Sequence, residues 1–437
     1  MANQTTVVIS DLHIGGDEHI EDFRCENELI HFLDFLDNNY QKVELIILGD
    51  FLDLWKVQEK KHKQVEFIIS CWPKLFNKFK EFGSKHKITV LAGNHDHALS
   101  YDQKLIDDLK EFNLEIDKNQ FFDREFEKNG KKVRLVGEHG NQIDPNCSFT
   151  SWEMPTNSSM AYHICQNFIY KIMRIGGKKD RPEWVKDTDN IEIDLIPFWF
   201  LSKYFYNELG PILKAIIIPM LILFGFAVPY FIFDIVTDFY RPEFLVPVLN
   251  LLDKNIFFKI IIFILYFDMV LVVLFFFMAL LKKDFQKKLH EYGFYNMPET
   301  LTKKHQTYIE RAKSILQNKN ELGINADIFI NGHTHHAGFY DDLVSNKVYA
   351  DSGSWKQLMK GIKTRFRFPS VYVPYYNLSY FICDPNDKGV RTELRQWPKE
   401  FKAKLTILER IALKKNKDIP KSVRENTLIK SALIKYH

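Results

Sequence analysis

The chain has 437 residues, with 59 Lys and Arg against 56 Asp and Glu, a net charge of +3, and 38 Phe. So even a balance excludes any argument from bulk charge for a polyanionic partner, and the length suits two domains or one domain with an insertion. Five cysteines (Cys25, Cys71, Cys147, Cys165 and Cys383), odd in number and without a CxxC pair, exclude a disulfide framework and read as reduced, mostly buried thiols.

In chain order, the sequence enters a strand at once, so no secretory signal is expected. Thr5 to Ser10 is an apolar, β-rich run that ends in Asp11-Leu12-His13. Apolar residues spaced by three and four predict a helix over Asn27–Asp37. Val43 to Leu48 is the next strand and delivers Gly49-Asp50-Phe51-Leu52-Asp53, with Trp55 just beyond. A helix over Gln64–Phe82 leads to a strand over Ile88–Ala92 and then to Gly93-Asn94-His95-Asp96. A helix over Gln103–Phe112 and a weaker apolar run from Val133 to Gly137 precede His139-Gly140-Asn141. A helix over Met160–Ile175 follows, and residues 176–210 form a lead-in to two long apolar stretches. Beyond these, a helix over Thr302–Gln317 precedes a short strand, Asp327–Ile330, and Gly332-His333-Thr334-His335. Lys347 to Asp351 and the turn Ser352-Gly353-Ser354-Trp355 come next, and strands near Ser379–Cys383 and Val390–Leu394 are expected to finish the second of two sheets.

Strands alternating with helices give α/β layers, and polar groups at the carboxyl ends of such strands are where these layers build a site. The expected domains are residues 1–175 and 291–398 as two parts of one α/β unit, 211–290 as an inserted helical hairpin, and 399–437 as a basic tail. The five islands supply carboxylate, imidazole and amide donors, a set suited to Mn, Fe, Zn or Co. Two such ions need a shared carboxylate. Asp50, at the tip of a long apolar strand, is the natural bridge, and Asp11, His13, Asn94, His139, His333 and His335 fill the remaining positions.

Together the islands resemble the pattern of the calcineurin-like metallophosphoesterase superfamily, DxH, GDxxD, GNHD/E, a lone His and GHxH, over residues 5–142 and 325–356. The resemblance implies a two-sheet sandwich flanked by helices and two divalent ions, Mn before the others. It puts Asp11, His13, Asp50 and His335 on one ion, and Asp50, Asn94, His139 and His333 on the other. It makes His95 the group that meets the substrate and protonates the leaving oxygen, with Asp96 orienting it. Asn94, His95 and Asn141 would contact substrate, although Asn141 and Asp144 would equally serve to hold His139. Asp53 is read as a hydrogen-bonding brace and Trp55 as packing. The motifs around Asp11, Asp50 and His139 are most similar to the UDP-2,3-diacylglucosamine hydrolase branch.

The apolar stretches run from Ala215 to Phe233 and from Ile260 to Leu281, each long enough to span roughly 28–33 Å. They are expected to form a transmembrane hairpin, with Asp268 the one costly residue, read equally as a functional intramembrane carboxylate and as a packing residue paired with another copy of the hairpin. Lys203, Lys214, Lys282, Lys283, Lys287 and Lys288 flank the site side, and Asp234, Asp238, Glu243 and Asp253 lie in the far loop. The positive-inside rule then sets the catalytic part on the cytoplasmic side of the inner membrane. In the tail, Leu405, Leu408, Ile411 and Ala412 beside Lys404, Arg410, Lys414 and Lys415 suggest a basic amphipathic helix for anionic lipid. The function expected is hydrolysis of a phosphodiester or pyrophosphate bond in an amphiphilic, lipid-linked substrate. A nuclease or cyclic-nucleotide phosphodiesterase is the runner-up, disfavoured because no basic cluster adjoins the islands. A membrane effector with a metal-dependent sensing domain is the third reading.

Overall fold

The computed structural model of the chain describes residues 4–16, 23–57, 59–149, 159–165, 187, 191, 195–240, 242–291, 297–319, 323–342, 344–365, 368–413 and 418–437. Strands β1 (Thr5–Ile9), β2 (Val43–Leu48), β3 (Lys87–Leu91) and β4 (Glu115–Asp117) are parallel neighbours, connected through α1 (Glu26–Asn39), α2 (Gln64–Cys71), α3 (Pro73–Lys85) and α4 (Gln103–Lys110). A second sheet has the order β5-β6-β7-β9-β8, from β5 (Phe121–Lys128), β6 (Lys131–Glu138), β7 (Ile328–Asn331), β8 (Gly338–Asp342) and β9 (Lys347–Asp351). Strands β10 (Gln357–Ile362) and β11 (Val371–Tyr376) form a separate hairpin.

The side-chain period of two explains the stacking of the layers. Val7, Ile9, Leu45, Ile47, Ile88 and Val90 join Leu29, Phe32, Phe79 and Leu105 in an apolar layer against the helices. Their strand neighbours Val8, Ile46, Leu48 and Leu91 face the other way, into a layer with Leu135, Ile328, Ile330 and Ala350 of the second sheet. The far face of that sheet, Val136, Phe329 and Tyr349, packs on Ala312, Ile315 and Leu316 of a later helix. The result is helices, sheet, sheet, helix: an α/β sandwich with both sheets buried between apolar layers.

Three sequence expectations change. Gln64–Phe82 is not one helix: Pro73 has no N–H to give, and Trp72, at φ −123° and ψ 50°, breaks the run into α2 and α3. Strands β12 (Ser379–Pro385) and β13 (Gly389–Gln396) do not finish the second sheet. β12 pairs antiparallel with β1, Val7 opposite Ile382, and so extends the first sheet to the order β14-β13-β12-β1-β2-β3-β4. The last of these, β14 (Thr427–Lys435), lies in the tail, where only a helix was expected.

The remaining helices are α5 (Met160–Ile164), α6 (Ile196–Lys203), α7 (Leu209–Phe239), α8 (Val246–Lys254), α9 (Ile256–Glu291), α10 (Met297–Leu316) and α11 (Ile407–Leu413). Residues 166–175 of the expected 160–175 helix, and most of the lead-in before residue 195, lie outside the described residues. Helices α7 and α9 pack side by side: the Tyr266 hydroxyl donates to Asp234 Oδ2 at 2.7 Å, and the Phe231 and Tyr266 rings meet edge-on. Among the described residues one stretch, Ile256–Val273 with mean hydropathy 2.6, is long and apolar enough to cross a membrane, and α7 adds a shorter apolar stretch, Ile222–Thr237. Both turn large apolar side chains outward, Phe226 at 66% and Phe263 at 69% exposure. Asp268, in α9, is buried.

Candidate metal centre

The ends of β1, β2, β3, β6 and β7 meet at one rim, where their loops are laced together. His13 N donates to the Asp50 carbonyl at 2.9 Å, Trp355 N to the Asp11 carbonyl at 3.1 Å, and His333 N to Asp11 Oδ2 at 2.9 Å. Five of the residues carrying the donors, Asp11, His13, Asp50, His333 and His335, have left-handed backbone, φ between 48° and 66°. Each costs roughly 1–3 kcal/mol in a residue with a Cβ. Such strain persists where the surrounding structure holds the side chains to a task.

The donors form two groups that share Asp50. In the first, His335 Nε2 is 3.2 Å from Asp11 Oδ1, and His13 Nε2 is 3.4 Å from His335 Nε2 and 3.6 Å from Asp50 Oδ2. In the second, His139 Nε2 is 3.2 Å from Asp50 Oδ2, 3.2 Å from Asn94 Oδ1 and 3.3 Å from His333 Nδ1. Asp50 Oδ1 is occupied separately by the backbone N–H of His95 at 2.7 Å, which leaves Oδ2 between the groups. All seven residues expected from the sequence are brought together.

The protonation pattern tests whether cations fit. His139 Nδ1 donates to the Leu48 carbonyl at 2.9 Å, so the lone pair of the neutral ring is on Nε2. That lone pair faces a carboxylate oxygen, an amide oxygen and another imidazole nitrogen. Acceptors pointed at acceptors repel unless a proton or a metal ion sits among them. Burial opposes a charge on His139, but Asp50 and Asp11 outweigh it and push the imidazolium up to about 10, which shows how strongly this spot favours positive charge. Asp11 Oδ1 has no hydrogen-bond partner among the described residues. Burial, then the nearby Lys356 cation, hold His335 well below its ordinary value, hence neutral and able to ligate. The donor set fits two divalent ions.

Close approach depends on Gly49, at φ +82°, where an added Cβ would lie 2.2 Å from His139 Nδ1. Gly49→Ala is expected to lower the Tm by more than the strain of a left-handed alanine alone, roughly 1–2 kcal/mol, and to reduce metal content. A variant with unchanged melting and full metal would show that this packing is looser than described.

His95 stands beside the two groups. Its Nδ1 donates to Asp53 Oδ1 at 2.9 Å, its ring stacks on Trp55 at 4.1 Å, and the His13 ring meets it edge-on at 4.6 Å. Asp53 in turn pairs with the buried Lys56 at 2.9 Å. Burial pulls the His95 imidazolium down, but Asp53 and Asp50 outweigh it and raise its pKa above the ordinary value. Side-chain exposure is 16% for His95 and 26% for His335, against 2% for His13 and His139, so the centre is more open beside the first two rings.

One expected role is corrected. Asp96 does not orient His95. It opens the short turn His97–Ser100 and points back into its own loop, where its carboxylate accepts from Gly93 N at 2.6 Å and Leu52 N at 3.0 Å. Burial and the Asp50 charge raise Asp96 to about 7. Asn141 is 1% exposed, and its Nδ2 donates to the Cys147 carbonyl at 3.4 Å, bracing the loop. Asp144 Oδ2 lies 3.4 Å from His333 Nε2. Sequence reasoning missed the Thr334 hydroxyl bonded to the buried Asp351, and the buried Lys56 and Lys356. For the lysines a signal existed, since each directly follows a Trp beside a motif, Trp55 and Trp355.

Residues 5–211 match the calcineurin-like phosphoesterase family. The matched stretch takes in Asp11, His13, Asp50, Asn94, His95 and His139 and stops before His333 and His335. A crystal structure of a protein of unknown function from Aquifex aeolicus is 22% identical, over 37% of this chain and 72% of that one, with a TM-score of 0.21. No curated protein matches.

Proposed function

We propose that this chain is a dinuclear-metal phosphoesterase held at a membrane by α7 and α9, and that it hydrolyses a phosphodiester or pyrophosphate bond in an amphiphilic, lipid-linked substrate such as a UDP-diacylglucosamine-like molecule. One observation carries the reading: Asp50 Oδ2 lies between two groups of buried donors, with a carboxylate-braced His95 at their opening. Asp11, His13, Asp50 and His335 would hold one ion, and Asp50, Asn94, His139 and His333 the other, with Mn the best-suited occupant. When bound, the pair neutralises phosphate charge and lowers the pKa of a water that attacks phosphorus. His95 gives its Nε2 proton to the departing oxygen. Asp53 fixes the tautomer by taking Nδ1–H, and Trp55 keeps water off one face of the ring.

Attachment to a membrane is supported by the outward apolar side chains of α7 and α9 and by the hydropathy of Ile256–Val273. The lysines flanking the apolar runs, against the acidic far loop, favour the cytoplasmic side of the inner membrane for the metal centre. The deciding experiment offers phosphomonoesters, diesters, lipid pyrophosphates and nucleic acids to the full chain with Mn, in wild type and His95→Ala. Cleavage fastest on the lipid pyrophosphate and lost in the variant is the expected result. Turnover confined to nucleic acid or cyclic nucleotides would replace this reading with the runner-up.

Asp53→Asn should lower activity about 10–100-fold, as loss of an imidazole's orienting carboxylate does, and, because Asp53 Oδ2 also lies 3.8 Å from His13 Nδ1, should weaken metal binding as well. The sign of its pH effect follows from the cause. Asp53 holds the His95 pKa up, so without it the proton leaves at lower pH, and the alkaline limb of the rate profile moves to lower pH. An unmoved limb would assign that limb to another group.

A further inference from the structure

The foot of α7 carries an outward surface that neither the metal centre nor the helix pair uses. Helix α6 runs through one wider turn, Tyr204–Glu208, directly into α7. In that turn Tyr206 is buried against Val371 and Val373 of β11 and against Ala412 and Leu413 of α11, and its hydroxyl donates to the Pro369 carbonyl at 2.7 Å. Lys203 Nζ reaches the Tyr372 carbonyl at 3.3 Å and Glu409 of α11 at 3.7 Å. Helix α11 is therefore clamped to the base of the helix that leads into the apolar stretch.

Its other face is open. Ile407 and Ile411, one turn apart, are 61% and 58% exposed, and Leu201 on α6 and Tyr204 just after it are 52% and 46% exposed. Around them Lys402, Lys404, Arg410 and Lys421 are exposed. Of the nearby carboxylates, Glu409 is buried beside Lys203, Glu400 pairs with Arg424 at 3.7 Å, and Asp418 is exposed. Apolar side chains ringed by cations, beside the start of a helix that heads toward an apolar span, match an anionic bilayer surface. Tyr206 is nine residues before Ala215, roughly 13 Å along the helix, which sets this surface on the headgroup side of the span.

We propose that α11 and the outer side of α6 form an interfacial footprint on anionic lipid, with Ile407 and Ile411 inserted among the lipids and Lys402, Lys404, Arg410 and Lys421 on their phosphates. This rests on the membrane reading above. The footprint has a consequence for the metal centre: β11, which holds the foot, pairs with β10, and β10 begins two residues after Trp355, whose N–H bonds to the Asp11 carbonyl. Lipid contact at α11 is thereby linked to the metal rim through β11, β10 and Trp355.

The test uses the full chain in nanodiscs, on a Cys71→Ser background, with an environment-sensitive fluorophore on Ile407→Cys, Ile411→Cys, Phe263→Cys in α9, or Lys131→Cys at the opposite rim of the sandwich. Headgroup-labelled quenching lipid should reduce emission at least twofold at 407 and 411 in phosphatidylglycerol discs and less in phosphatidylcholine discs. Acyl-chain quencher should act at 263, and neither should act at 131. Retained Mn-dependent hydrolysis reports that each variant is folded. Quenching at 263 without quenching at 407 and 411 overturns the footprint and leaves the membrane reading standing. No quenching at any site overturns the membrane reading, and the footprint with it. Cross-linking between copies through position 411, without lipid quenching, overturns the footprint in favour of a chain–chain contact.

Discussion

Replacing Asp50 with alanine is expected to abolish Mn-dependent hydrolysis, by roughly 10³-fold or more, the scale on which loss of preorganised electrostatic stabilisation is felt. Asp50 Oδ2 is within reach of donors from both groups, 3.2 Å from His139 and 3.6 Å from His13. Its removal leaves each group a ligand short and lets two sets of buried imidazoles repel. Asp50→Asn keeps the shape and most of the packing but removes the charge, so it should fold as the native chain does and still fail to turn over. Full activity in purified Asp50→Ala would mean that the catalysis does not run through this cluster.

His95→Gln is expected to lower the rate by about 10²–10⁴, the usual contribution of general acid catalysis, without changing metal content. His95 stands outside the seven residues assigned to the two ions, although its ring nitrogen lies within 4.8 Å of donor atoms of His13 and Asp50, and glutamine keeps the backbone N–H that reaches Asp50. The loss should depend on the leaving group. A substrate that releases an alkoxide needs the proton, whereas p-nitrophenolate departs without it, so the penalty should shrink to a few-fold on aryl substrates. An equal loss on both kinds of substrate would assign His95 to binding or positioning and not to proton transfer.

The metal rim was legible because each donor follows directly on an apolar strand, and strand order carries it to one edge. Asp11, Asp50, Asn94 and His139 needed no long-range information beyond that. The braces were less legible, because a carboxylate near an imidazole in sequence need not face it in space. Asp96 adjoins His95 yet turns back to Gly93 N and Leu52 N, while Asp53, 42 residues away from His95, reaches the ring. The first sheet's antiparallel half was misassigned for a similar reason: β12 and β13 have ordinary alternation, and only their pairing with β1 decides which sheet they join. Strand β14 was hidden by its composition, since Lys430 and Lys435 along an exposed edge read as a basic tail. Such lysines also suit an edge strand that must not recruit another chain. The break between α2 and α3 was in plain view at Pro73, where helical apolar spacing on both sides masked it.

On the proposed reading, seven residues from five loops hold two ions through one shared carboxylate. Electron paramagnetic resonance of the full chain loaded with Mn tests it most directly. Two Mn per chain with an exchange-coupled signal, as for ions roughly 3.5–4 Å apart, is the predicted result, and Asp50→Ala should eliminate the coupling. One Mn per chain, or two giving uncoupled signals, would contradict it.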